Sequence, residues 1–192
     1  MTWIGRRDHT LLFLAVQTGL RLSELIGLDR TSLVLEKGAH VRCFGKGRKE
    51  RNTPLTKPAV VIMKAWLSEL SKVSVDILFP TIHGNRLSAD SVQYLVRKHT
   101  EVACIQCPSL EQKHVTPHAL RPTAAMELLC AGVDSSVIAM WLGHESTQTT
   151  QAYLHAHMSL KQEAFARVAP LITGGGIHYQ PSDQLLNFFT SL

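Results

Sequence analysis

Tyr153 stands nine residues after His144 in the segment Leu142-Gly143-His144-Glu145-Ser146-Thr147-Gln148-Thr149-Thr150-Gln151-Ala152-Tyr153, and His118-Ala119-Leu120-Arg121 lies upstream of it. A histidine, an arginine, a second histidine and a phenol thus fall within 36 positions, with helix punctuation between them. That layout suits a phenolic nucleophile attacking a phosphodiester. A phenol has a pKa of ~10, so Tyr153 would need positive neighbours or a base to act near neutral pH.

The elements that must position these groups can be read from apolar spacing and from caps. Asp8 to Val16 has helical apolar density, Thr18-Gly19 breaks it, and Leu22, Leu25, Ile26 and Leu28 resume a stripe to about Leu28, with Arg21 at or near the second helix start. Leu33-Val34-Leu35, Ala39 to Phe44 and Lys49 to Pro54 are separated by Lys37-Gly38 and Gly45-Lys46-Gly47, and the glycines suit tight turns of a three-stranded antiparallel sheet. Thr56 with Pro58 opens an amphipathic helix, and Ser88 caps another to about Ala103. Ile105 to Lys113 reads as a connecting loop. Thr116-Pro117 opens the helix carrying His118 and Arg121, which ends at Gly132; Asp134 caps a short helix that Gly143 stops. A helix carrying Tyr153 and another from about Ser159 to Ala169 follow. Beyond Gly174-Gly175-Gly176, Leu185, Leu186, Phe188 and Phe189 form the apolar side of a short tail helix that folds back or docks on a neighbour, the neighbour being favoured.

A chain of 192 residues, 45% hydrophobic, can bury one substantial core. Its formal charge of +5 fits a polyanionic partner. No segment approaches the roughly 20 apolar residues that span a bilayer. The run after Arg6-Arg7 is too short and too charged for an export signal, so a cytoplasmic protein with reduced thiols is expected. Cys104-Ile105-Gln106-Cys107 has zinc-ligand spacing but lacks a second pair, so Cys43, Cys104, Cys107 and Cys130 are read as ordinary cysteines and no metal is expected.

Taken together, Thr18-Gly19-Leu20-Arg21-Leu22-Ser23-Glu24-Leu25, Gly45-Lys46-Gly47-Arg48-Lys49, Leu78-Phe79-Pro80, His118-Ala119-Leu120-Arg121 and Leu142-Gly143-His144 with Tyr153 resemble the catalytic domain of the tyrosine recombinases, the phage integrase family. The resemblance runs from about Asp8 to Ala169. It implies a fold that is mainly α with one small sheet. Residues 1–173 would form the catalytic domain and 174–192 a Gly-rich hinge and tail, without the family's N-terminal core-binding domain. It also implies site-specific recombination of the integrase or mobile-element kind, with Tyr153 forming a 3′-phosphotyrosyl DNA bond and releasing a 5′-hydroxyl.

The other roles follow from the same resemblance. Arg21 and Arg121 would hold the phosphate, since a guanidinium is always charged and forks onto two oxygens. Lys46 would protonate the leaving 5′-oxygen, His118 exchange a proton with Tyr153 or bond the phosphate, and His144 donate a second phosphate bond. Glu24 would pair with and orient Arg21. Arg48, Lys49 and Arg51 form a basic run that is either a solvated strand face or a non-specific phosphate contact. Religation conserves bond energy, so no cofactor is expected; the partners are double-stranded DNA and further copies of the chain, a tetramer joined through residues 182–192.

One residue departs from the family pattern, which usually has a histidine after the equivalent of Arg121; here it is Pro122. A proline six residues into a helix removes the N–H that would bond the His118 carbonyl and costs ~3 kcal/mol. Three alternatives stay open on these residues: a DNA-binding remnant impaired in cleavage, DNA relaxation in the manner of type IB topoisomerases, and an all-α interaction protein with some other partner.

Overall fold

The structure, a computed structural model, describes residues 2–45, 50–71 and 75–143. The chain divides into a unit of residues 1–157 and one of 158–192, and all that follows concerns the first. The expected helices carrying Tyr153 and spanning Ser159 to Ala169, the hinge and the tail lie outside the described residues.

Helix α1 spans Trp3–Thr18, five residues longer at its start than the apolar density of Asp8 to Val16 suggests. Thr2 caps it by accepting the Gly5 N–H, and the charges that seemed to interrupt the run are paired inside the protein. Arg7 donates from Nε and Nη2 to Asp8 Oδ1 at 3.0 and 2.7 Å, and from Nη1 to the Pro80 carbonyl at 3.1 Å. Both residues are buried. Trp3 packs on Trp66 with ring centroids 5.3 Å apart, which extends the buried face to the first turn.

Gly19 ends α1 with φ +62°, and α2 (Leu22–Ile26) follows with Arg21 as its N-cap residue. The chain then builds the expected antiparallel sheet in the order β1 (Leu33–Val34), β2 (His40–Phe44), β3 (Glu50–Pro54). Cys43 pairs with Arg51 and Val41 with Thr53, and the alternation of the strands turns Val41, Cys43 and Thr53 into the core. Arg42, Phe44, Glu50 and Asn52 are exposed on the other face.

Helices α3 (Lys57–Leu70) and α4 (Ala89–Cys104) begin where their caps predict, Thr56 accepting the Ala59 N–H and Ser88 the Ser91 N–H. The expected loop after α4 holds a short 3-10 turn at Pro108–Leu110. Helix α5 (Pro117–Cys130) carries Pro122 within it, and α6 (Ser135–Leu142) is capped by Asp134 and closed by Gly143 at φ +63°.

One core is formed around Leu11, Leu14, Val41, Met63, Trp66, Leu70, Leu78 and Val92; a smaller one of Ala125, Leu129, Ile138 and Leu142 joins α5 to α6. Leu78-Phe79-Pro80 belongs to this scaffold. Leu78 donates its N–H to the Leu28 carbonyl at 3.0 Å and accepts Trp66 Nε1 at 2.8 Å. Among the described residues no helix is long and apolar enough to cross a membrane.

Candidate active site

The break between α1 and α2 sets the first arginine. Glu24 sits at the third position of α2, and its Oε2 accepts the backbone N–H of Arg21 at 2.7 Å while its Oε1 accepts Arg21 Nη1 at 3.1 Å. A carboxylate in the first turn complements the helix N-terminus. It also pairs with the Arg21 guanidinium from one side. From β3, Arg51 closes the other side of the same carboxylate, Nη1 donating to Oε1 at 3.2 Å and Nη2 to Oε2 at 2.8 Å. Each oxygen of Glu24 therefore takes two donors, which fills its acceptor capacity.

The second arginine comes from α5. Arg121 Nη1 donates to the Gly19 carbonyl at 2.6 Å, and its Nη2 to the carbonyl of Leu142. Arg51 Nη1 reaches that same Leu142 oxygen at 2.8 Å, and Arg21 Nη2 the next carbonyl, that of Gly143, at 3.0 Å. Three guanidiniums therefore meet at the C-terminal end of α6. A helix C-terminus carries unsatisfied carbonyls and about half a negative charge, so cations are favoured there.

Two glycines permit this approach. A Cβ on Gly19 would stand 2.5 Å from Leu142 Cδ2 and 3.1 Å from Ala124 Cβ. A Cβ on Gly143 would stand 2.4 Å from Arg51 Nη1. Both residues also have the left-handed backbone that glycine adopts without strain.

Among the described residues the network holds three guanidiniums and one carboxylate, and the arginines differ in access. The Glu24 side chain is 3% exposed and that of Arg51 13%, whereas that of Arg21 is 39% exposed. Below them the Cys43 thiol has its pKa raised by burial, against the opposing field of the Arg51 guanidinium. It stays a neutral part of the core. An anion reaching the network from solvent would therefore meet Arg21 before Arg51.

Arg21, Glu24 and Arg121 are thus brought together from positions up to 100 residues apart. His118 is exposed one turn before Arg121 on α5. Lys46, Arg48, Lys49, His144 and Tyr153 lie outside the described residues. Arg51 is a correction to the reading of a solvated basic strand face: it shares the inward side of β3 with Thr53 and faces Glu24. Strand alternation was the available signal, because Arg51 has the parity of buried Thr53 and opposes buried Cys43. The carbonyl seats at Gly19, Leu142 and Gly143 left no mark in side-chain chemistry. Among the described residues, no group of three or more His, Cys, Asp or Glu is arranged to hold a metal.

Residues 3–159 match the model of the phage integrase family. The chain is 52% identical to a Sinorhizobium fredii protein named as an integrase/recombinase, y4rC, over all of this chain and 57% of that protein. It is 36% identical to the tyrosine recombinase XerD of Pseudomonas aeruginosa, over 87% of this chain and 55% of XerD. The chain therefore spans about half the length of these relatives. Its fold is similar to that of the XerH site-specific recombinase in a post-cleavage complex with palindromic difH substrate (TM-score 0.73, 26% identity, 87% of this chain, 47% of that one). It is equally similar to XerA recombinase (TM-score 0.72, 27% identity, 87% and 58%). A polar clamp assembled on the α6 end, a tyrosine recombinase catalytic-domain fold and a family match over most of its length place this chain in the phage integrase family.

Proposed function

We propose that this chain supplies the catalytic domain of a site-specific DNA recombinase, cutting and rejoining double-stranded DNA through Tyr153. The Tyr153 oxygen attacks a backbone phosphorus, a 3′-phosphotyrosyl bond forms, and the bond to the 5′-oxygen breaks. Lys46 gives that oxygen its proton, and the phenol proton passes to a base, for which His118 is the candidate. Arg21, Arg121 and His144 hold the non-bridging oxygens. In the second half the 5′-hydroxyl of another strand attacks the phosphotyrosine, so neither ATP nor a metal is consumed.

The observation that carries this reading is the seating of Arg21 and Arg121 on the adjacent carbonyls of Gly143 and Leu142. The next residue in the chain is His144, so two phosphate-binding cations are held beside the start of the segment that ends in Tyr153. Arg48 and Lys49 add sequence-independent phosphate contacts. The DNA complex of XerH and the name of y4rC favour DNA as substrate and an integrase role. Four free cysteines suit a reducing cytoplasm. On DNA the working form is a tetramer, joined through the apolar side of residues 182–192.

A nicked suicide substrate tests the proposal, because loss of the short cleaved strand traps the intermediate. The chain should become covalently attached to the 3′ end, and Tyr153→Phe should abolish the adduct. An adduct that persists in that variant, or none from the unaltered chain, refutes cleavage through Tyr153.

A further inference from the structure

We propose that Arg51 is a positioning residue of the phosphate clamp, holding the end of α6 on which Arg21 and Arg121 are seated, and that it does not touch DNA. The inference rests on the reading of this site as one that cleaves phosphodiesters.

Arg51 shares one partner with each of the two candidate phosphate-binding arginines. It forks onto Glu24, whose two oxygens also hold Arg21, and it donates at 2.8 Å to the Leu142 carbonyl that also holds Arg121. Removing it therefore loosens both seats at once. The side chain is 13% exposed, its Nε is buried, and both Nη atoms are engaged, which leaves little of it for a phosphate.

The contact is also tight. A methyl group on Gly143 would lie 2.4 Å from Arg51 Nη1, 3.2 Å from its Cδ and 3.3 Å from its Cζ, so the backbone rests directly on the guanidinium. This β3 arginine thereby sets where the chain leaves α6 at Gly143. Lysine cannot replace it, because one ammonium cannot span two carboxylate oxygens in a planar fork while also holding a carbonyl.

The test separates seat from phosphate contact. For Arg51→Lys and Arg51→Met, DNA affinity is measured across salt concentrations, and single-turnover adduct formation is measured at saturating DNA and at a temperature where circular dichroism shows both variants folded. The slope of log K against log salt should match the unaltered chain, while the rate falls by about 100-fold, the loss that ~1 Å of misplacement in such a clamp produces. A slope reduced by about 0.9, with the rate restored at saturating DNA, would identify a phosphate contact and overturn the proposal. An unchanged rate would overturn it equally.

A second measurement needs no DNA. Gly143→Ala should lower the urea midpoint of the otherwise unaltered chain by more than it does in an Arg51→Ala background, where the group that the methyl meets is gone; additive losses refute the seat. If the unaltered chain forms no adduct, the cleavage reading falls by itself, and the Gly143 comparison still decides whether Arg51 holds α6.

Discussion

Replacing Gly19 by alanine puts a methyl group into the closest approach of α1 to α5 and α6. Two costs arise. With φ at +62°, an alanine is held in the left-handed region, at roughly 1–2 kcal/mol. The new Cβ also meets Leu142 Cδ2 at 2.5 Å and Ala124 Cβ at 3.1 Å; Leu142 is fully buried and Ala124 is fixed on its helix, so overpacking adds about 1–3 kcal/mol.

Gly38 isolates the first cost, since it has φ +76° and a Cβ there meets nothing within 4 Å. Gly38→Ala should therefore show the strain alone, and any entropic gain from restricting the unfolded chain cancels between the two variants. The assay is urea unfolding of both. At a slope of about 2 kcal/mol per molar, the midpoint of Gly19→Ala should lie about 1 M below that of Gly38→Ala. The Gly19 carbonyl also holds Arg121, so Gly19→Ala should lose adduct formation while Gly38→Ala keeps it. Equal midpoints would refute the close-packing argument, and equal cleavage would refute the claim that Gly19 positions Arg121.

Three further outcomes are expected. Pro122→His restores an N–H for the His118 carbonyl inside α5 and should raise covalent DNA–protein yield; equal yield from both forms on the suicide substrate would show that the proline does not strain the site. Cys43, whose folded pKa is raised above the ordinary value of 9.0 chiefly by burial, keeps its proton where the unfolded chain has lost it. Its share of stability is intact below that ordinary value and declines as pH rises towards the folded value, so unfolding midpoints should fall less steeply above pH 9.0 in Cys43→Ala. A maleimide at pH 8 should label exposed Cys107 and Cys130 and spare Cys43.

Much of the scaffold was legible because its punctuation is local. Thr56, Ser88 and Asp134 cap the helices they were expected to cap, and Gly19, Gly132 and Gly143 adopt the positive φ expected where helices stop. The early start of α1 was hidden because Arg7 and Asp8 look like surface charges in sequence, and only tertiary pairing makes them burial-competent. In the site, Arg21, Glu24 and Arg121 could be named from the family blocks they occupy. The inward side of Arg51 was hidden because a basic run reads as one face, whereas a strand sends neighbours to opposite sides. The backbone seats were out of reach for a different reason: every residue owns a carbonyl, and only the fold decides which of them a guanidinium meets.

The end of α6 also orders events in time. Gly19, Arg21, Glu24 and Arg51 lie in the first third of the chain, yet the carbonyls that complete their network belong to Leu142 and Gly143. Such pairings close long loops and are late and slow to form. On the ribosome, the early residues have no partner at this end until α6 has been made and docked. The clamp is then a property of the finished domain, and incomplete translation products carry the arginines without the carbonyls that seat them.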